Sequence, residues 1–110
     1  MIMLAEAGKF SPGDVVRHKR YDYRGVVVDI DPNCQASNSW YKANLTQPSR
    51  DQPWYHVLVD LRTHTTYVAQ ENLVRDVCTQ PAVQHPLVDQ YFDEIEDGHY
   101  HRNDTPWPRE

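Results

Sequence analysis

Three sets of residues in this chain have types and spacings that could do chemistry. His99 and His101 flank Tyr100, close to Asp104. Side chains at i and i+2 of an extended chain point the same way, so the two imidazoles could hold a metal ion. The plainer alternative is a solvated tail. Asp29 and Asp31 form a second pair, on one side of a strand end. They could act as general acid and base, or, as is more common, accept backbone N–H bonds and cap a loop. The third set is Arg17, Lys19, Arg20 and Arg24, four cations within eight residues, interleaved with His18, Tyr21 and Tyr23. Cations beside aromatic rings can hold phosphate and stack bases. They can equally hold an acidic peptide, cover a barrel with their aliphatic stems, or simply solvate a hairpin turn.

Other chemistries lack their residues. There is no G-x-S-x-G elbow and no phosphate-cradling glycine loop, and the chain has only four Gly. Cys34 and Cys78 lack the C-x-x-C spacing of a structural zinc site. The expectation is therefore no catalytic residue, no metal and no cofactor. Trp54-Tyr55-His56 is a further candidate surface. In a half-buried strand one of two adjacent aromatics faces the core, and the other lies under a loop or meets a partner. Trp40 and Tyr41 are the natural cover.

The elements that must position these groups are short. Phe10-Ser11-Pro12-Gly13-Asp14 is a turn signal, followed by a strand at Val15–His18. Tyr23–Ile30 reads as a second strand, because Val26, Val27 and Val28 are stiff at χ1 and favour extended backbone. Gly25 inside it suggests a bulge or bend, and Asp31-Pro32 ends it, since proline cannot donate to a ladder. Residues 31–53 form a long connection of the kind that is often functional, with one helical turn at Trp40–Leu45. Trp54–Asp60 and His64–Ala69 read as strands three and four. Gln70–Leu73 suits a 3₁₀ turn, and Val74–Val77 a fifth strand. Leu87, Val88, Tyr91, Phe92 and Ile95 recur at helical spacing, which predicts a helix over 86–95 ended near Gly98; residues 99–110 look irregular. The domain reading is a flexible leader at 1–9, a barrel at 10–80, and an acidic helical segment and tail at 81–110. The fold class is mainly β, a small SH3-like barrel of about five strands with a C-terminal helix.

The net charge of −5 is unevenly spread. Residues 1–84 carry nine basic and nine acidic side chains, whereas residues 85–110 carry two and seven. A neutral body with an acidic tail suits non-specific nucleic-acid binding poorly, because that affinity comes mainly from neutralising phosphates. No stretch approaches the roughly 18 apolar residues of a membrane span. The first ten residues lack the basic and apolar regions of a signal peptide. The expectation is a cytoplasmic protein with reduced thiols, a Cys34–Cys78 disulfide being the alternative.

The stretches FSPGDVVRHKRYDYRGVVVDIDP, QPWYHVLVD and TYVAQENL resemble the YccV-like domain, the family of the bacterial heat-shock protein HspQ, also described as a hemimethylated-DNA-binding protein. Gly13, Val16, Arg17 and His18 fill the first motif and Gly25 to Pro32 the second. Pro53 to Val57 fill the third, and Tyr67, Ala69 and Leu73 the fourth. The match spans roughly residues 10–77. HKRYDY, AQENL and HPLVDQYF look closer still to the C-terminal YccV-like domain of an animal F-box protein. The resemblance implies an SH3-like barrel without enzymatic activity. It implies one of two roles: adapting substrates to an AAA+ protease or a ubiquitin ligase, or binding hemimethylated DNA to restrain replication initiation. The expected partner is a protein, with DNA binding weak and a homo-oligomer open. The contact candidates are Arg17, His18, Lys19, Arg20, Tyr21, Tyr23, Arg24, Trp40, Trp54 and Tyr55.

Overall fold

A computed structural model describes residues 8–77, 81–96 and 98–108. Most of the leader at 1–9 lies outside them, as does Cys78, so the disulfide alternative falls outside the described residues. Cys34 is buried and forms no disulfide among the described residues.

The chain is mainly β. Strands β1 (Val15–His18), β2 (Arg24–Asp31), β3 (Trp54–Val59), β4 (Thr65–Ala69) and β5 (Leu73–Arg75) form one antiparallel sheet in the order β4-β3-β2-β1-β5. This is an SH3-like arrangement, a meander whose last strand returns beside the first. Among the described residues β4 and β5 do not pair, so the curled sheet stays open there. A 3₁₀ turn at Gln70–Asn72 joins β4 to β5. Helix α1 (Asn38–Ala43) lies in the long connection, with Ser37 Oγ accepting from the Trp40 N–H as its N-cap.

The three valines of β2 are completely buried because both faces of the sheet are covered. Val27 joins Phe10, Val16, Tyr55, Val57, Val68 and Leu73 inside the curl. Val26 and Val28 point outward, where Val15, Leu58, Val83, Tyr91, Phe92 and Tyr100 pack over them. A strand buried on both sides reads as a continuous apolar run rather than an alternation. Gly25 does not mark the bulge. The ladder between β2 and β3 shifts register between Val27 and Asp29 instead. At Gly25 a Cβ would lie 2.5 Å from both the Leu58 carbonyl oxygen and Val57 Cγ1, so a close approach to β3 requires glycine there.

The expected helix over 86–95 is corrected. Helix α2 covers only Val88–Tyr91, and the chain turns straight into β6 (Phe92–Glu96), which pairs with β7 (His99–Arg102). Gly98, at φ 77°, supplies the turn. Glu94 faces His101 and Glu96 faces His99 across the ladder, and such complementary pairs favour the hairpin. The helical spacing of Tyr91, Phe92 and Ile95 misled because Ile95 stays half-exposed while Tyr91 and Phe92 are buried. Residues 99–102, expected to be irregular, are a strand. The hairpin docks on the outer face of the barrel. The Tyr100 N–H donates to the Gly13 carbonyl (3.0 Å), and Tyr100 Oη accepts from the Val83 N–H (2.6 Å). Among the described residues no helix is long and apolar enough to cross a membrane.

Candidate functional site

The basic turn and the long connection meet. Between them, along β4, runs an open groove of about 450 Å³ lined by residues of the turn after β1, of β4, and of α1 and the loop that follows it. That volume lies within the range of small-ligand and peptide pockets.

Its floor is built by three strands. His56 pairs with Asp29 on β2 and with Tyr67 on β4, so these three side chains share one face. Asp31 stands in the next row beside Trp54. Its carboxylate accepts from Tyr67 Oη at 2.6 Å and lies 3.2 Å from His56 Nε2. Tyr67 Oη in turn accepts from the Gln35 N–H (3.0 Å). Burial, and then the bond to Asp31, raise the Tyr67 pKa far above the usual phenol value. Its hydroxyl is a permanent donor. Fixed this way, the Tyr67 ring lies 4.5 Å from His56, 5.3 Å from Trp54 and 5.6 Å from Trp40.

The long connection is held in place by its own bonds. Arg50 lies over the Tyr41 ring and donates to the Ala36 carbonyl. Tyr41 Oη donates to the Pro48 carbonyl (2.7 Å), and Trp54 Nε1 to that of Ser49 (3.2 Å). Trp40 and Tyr41 stand edge-on over Trp54, as expected of that loop. Trp54 keeps 3% of its surface while Trp40 keeps 37%. Trp40 is thus the presented aromatic and Trp54 its support. Tyr55 is fully buried, its hydroxyl accepting from the Lys9 N–H and donating to Gln70 Oε1. Neither aromatic of the Trp54-Tyr55 pair faces out.

The four cations divide. Arg24 is buried and donates through Nε and Nη2 to Asp60 at 3.2 and 3.0 Å. Arg17 bridges Asp22 (3.3 Å) and Asp76 (3.1 Å). Both hold the fold. Lys19 and Arg20 are exposed and make no ion pair among the described residues. Arg20 lies 5.8 Å from the centre of the Tyr21 ring. Tyr21 is half-exposed, and Tyr23 Oη shares a 2.7 Å hydrogen bond with Thr66 Oγ1. His18 is buried at the base of the turn. Its Nδ1 accepts from the Arg20 and Tyr21 N–H groups at 3.0 and 3.1 Å, which places the ring proton on Nε2. Burial, and then the Arg20 charge, lower its pKa.

His18, Tyr21, Tyr23, Trp40 and Trp54 of the sequence candidates line the groove. Arg17, Lys19, Arg20, Arg24 and Tyr55 are not among its lining residues. His56, of the Trp54-Tyr55-His56 stretch, lines it too, as do Tyr67 and Leu45, which were missed as contacts. Tyr67 stood in a quoted motif, but nothing in its local sequence marked it as a neighbour of Trp40. His99 and His101 keep separate carboxylate neighbours, Asp14 at 3.2 Å and Glu96 at 3.4 Å. Among the described residues, the potential ligand atoms that lie within 4.8 Å of one another are those of Asp29, Asp31 and His56. Of the two candidate carboxylates, Asp31 thus meets both an imidazole and a phenol and braces the groove floor.

The family model for hemimethylated DNA-binding protein YccV-like matches residues 8–99. The chain is 39% identical over 95 residues to F-box only protein 21 of Mus musculus. It is 38% identical to the proteins of the same name from Pongo abelii and Homo sapiens. In each case the match covers 83% of this chain and 15% of the relative, so the chain spans a small part of the length of those proteins.

Proposed function

This chain belongs to the hemimethylated DNA-binding protein YccV-like family, and from that premise we propose that it is a non-catalytic interaction module whose aromatic groove holds a segment of a partner protein. The role we propose is that of an adaptor in protein quality control. It presents clients for degradation, linked to a ubiquitin ligase, in keeping with the F-box relatives, or to an AAA+ protease. We place this role in the cytoplasm.

One observation carries the reading. Exposed Trp40, Tyr21 and Leu45 converge on a groove whose lining residues carry no carboxylate, lysine or arginine. Aromatic anchors with a polar rim are the composition of protein contact sites.

Binding to hemimethylated DNA is the second reading, favoured by the family description and by the unpaired Lys19 and Arg20. With Arg17 and Arg24 committed to carboxylates, the basic turn offers about two phosphate contacts, too few by themselves for tight binding at physiological salt. The test is quantitative co-purification from cells with wild-type chain and with Leu45→Glu, together with the half-lives of the captured proteins. The module reading expects a ligase, a protease or their clients to be retained and then lost in the variant, with their turnover slowed. Unchanged capture and turnover, with salt-sensitive binding that prefers hemimethylated duplex, would establish the second reading in its place.

A further inference from the structure

Three features of the groove are not explained by stability. The first is the outer edge of β4. This strand ends the sheet, and Thr65–Val68 make no backbone hydrogen bond beyond those to β3 among the described residues. Thr66 and Val68 point toward Tyr23 and the inside of the curl, whereas Tyr67 points toward His56 and Trp54. All five β4 residues line the groove, so the groove follows the strand's edge rather than one face. Exposed edges are normally blunted by charge, proline or brevity. The opposite edge obeys that rule, because β5 has three residues and ends in Arg75. The sequence TTYVA of β4 has none of these protections.

The second feature is His18. Only 6% of it is exposed, its Nδ1 is taken by the turn, and its Nε2–H has no partner among the described residues. No fully buried side-chain nitrogen or oxygen there lacks a hydrogen bond, so this donor reaches the groove surface that the ring lines. The third lies outside the groove lining: Lys19 and Arg20, exposed on the same turn as His18 and Tyr21, make no ion pair among the described residues.

We infer that the edge of β4 takes up an extended, acidic-hydrophobic peptide segment of a partner protein as an added strand. The backbone of the segment would bond to the unpaired groups of Thr65–Val68. An apolar side chain would lie against Trp40 and Tyr67. A carboxylate at the end near the turn would accept from His18 Nε2–H and face Lys19 and Arg20. This rests on the interaction-module reading and names its ligand.

The full chain is panned against a phage-displayed library of random linear peptides. Enriched sequences are expected to place Asp or Glu close to an aromatic or branched aliphatic residue. A synthetic peptide of that sequence is expected to slow amide exchange along 65–69. N-methylation of its alternate backbone amides should weaken it by about tenfold or more, while the Lys19→Ala/Arg20→Ala chain should bind it about fivefold more weakly, with little remaining salt dependence. No enrichment, or protection away from β4, overturns the inference. Protection of β4 that rises with protein concentration alone assigns the edge to a second copy. Protection by a short single-stranded oligonucleotide assigns it to nucleic acid, and either result also overturns it. Loss of this inference leaves the module reading standing if partner capture still depends on Leu45. Loss of that dependence removes the module reading itself.

Discussion

Tyr67 Oη donates to Asp31 Oδ2 at 2.6 Å across the intervening strand β3, and that bond sets the angle of the ring on which the groove floor is built. Asp31 ends the valine strand and is 3% exposed. Its position before Pro32 both releases the chain into the long connection and anchors the aromatic cluster beneath it. Asp31→Ala is expected to lower stability by about 1–2 kcal/mol, since it removes a charge-assisted bond to the half-buried Tyr67 hydroxyl. Tyr67→Phe should cost about 1 kcal/mol. Urea denaturation followed by tryptophan fluorescence measures both. Equal stabilities for wild type and Asp31→Ala would show that the carboxylate does not hold the floor.

The division of the basic turn is tested by contrast. Arg24→Ala leaves the Asp60 carboxylate, whose side chain is 12% exposed, without its guanidinium, and is expected to cost about 3 kcal/mol. Lys19→Ala/Arg20→Ala removes two exposed cations and should shift stability by no more than about 0.5 kcal/mol. The same denaturation curves decide whether the two pairs differ in this way.

His18 couples the turn to pH. Its folded pKa is lowered from 6.5, so the unfolded chain takes up a proton at a higher pH than the folded one. Stability from this group is complete above about 6.5 and declines as pH falls below it. A protonated Nδ1 also cannot accept from the Arg20 and Tyr21 N–H groups. The expected outcome is a fall in the denaturation midpoint below pH 6.5 that flattens in His18→Gln. Titration of the imidazole by NMR should show the low midpoint directly.

Docking of the C-terminal hairpin on the barrel makes a fourth test. Gly13 has φ 102°, and a Cβ there would lie 1.9 Å from the Tyr100 carbonyl oxygen. Gly13→Ala must displace β7 and should expose the outer valine face. Tyr100→Ala, at a residue 2% exposed, is expected to cost about 3–5 kcal/mol. If calorimetry finds the Tyr100→Ala transition unchanged, the hairpin does not stabilise the barrel.

The strands of the barrel were legible because their signals are local. Val26–Val28, the Pro12-Gly13 turn and the Asp31-Pro32 stop each state a conformation within a few residues. The hairpin was not, because helical spacing at Tyr91, Phe92 and Ile95 and strand pairing at Glu94–His101 compete. Only packing against Val26 and Val28, far away in sequence, decides between them. The groove was half legible. Trp40 over Trp54 followed from the need to cover an aromatic strand. That the basic turn faces the same groove depends on β5 returning to β1, which no short stretch encodes. The commitment of Arg17 and Arg24 to Asp76 and Asp60 is likewise a long-range pairing, and it halves the charge that the turn presents.

The central claim is that partners are met at the groove. A photoreactive amino acid placed at Leu45, which lines the groove and is 81% exposed, is compared with one at Val77, 91% exposed and outside the groove-lining set. After irradiation in cells, the account expects protein adducts at position 45 to exceed those at 77 by about tenfold or more, and to shift to longer-lived species when degradation is blocked. Equal labelling at the two positions, or adducts consisting mainly of DNA, would contradict it.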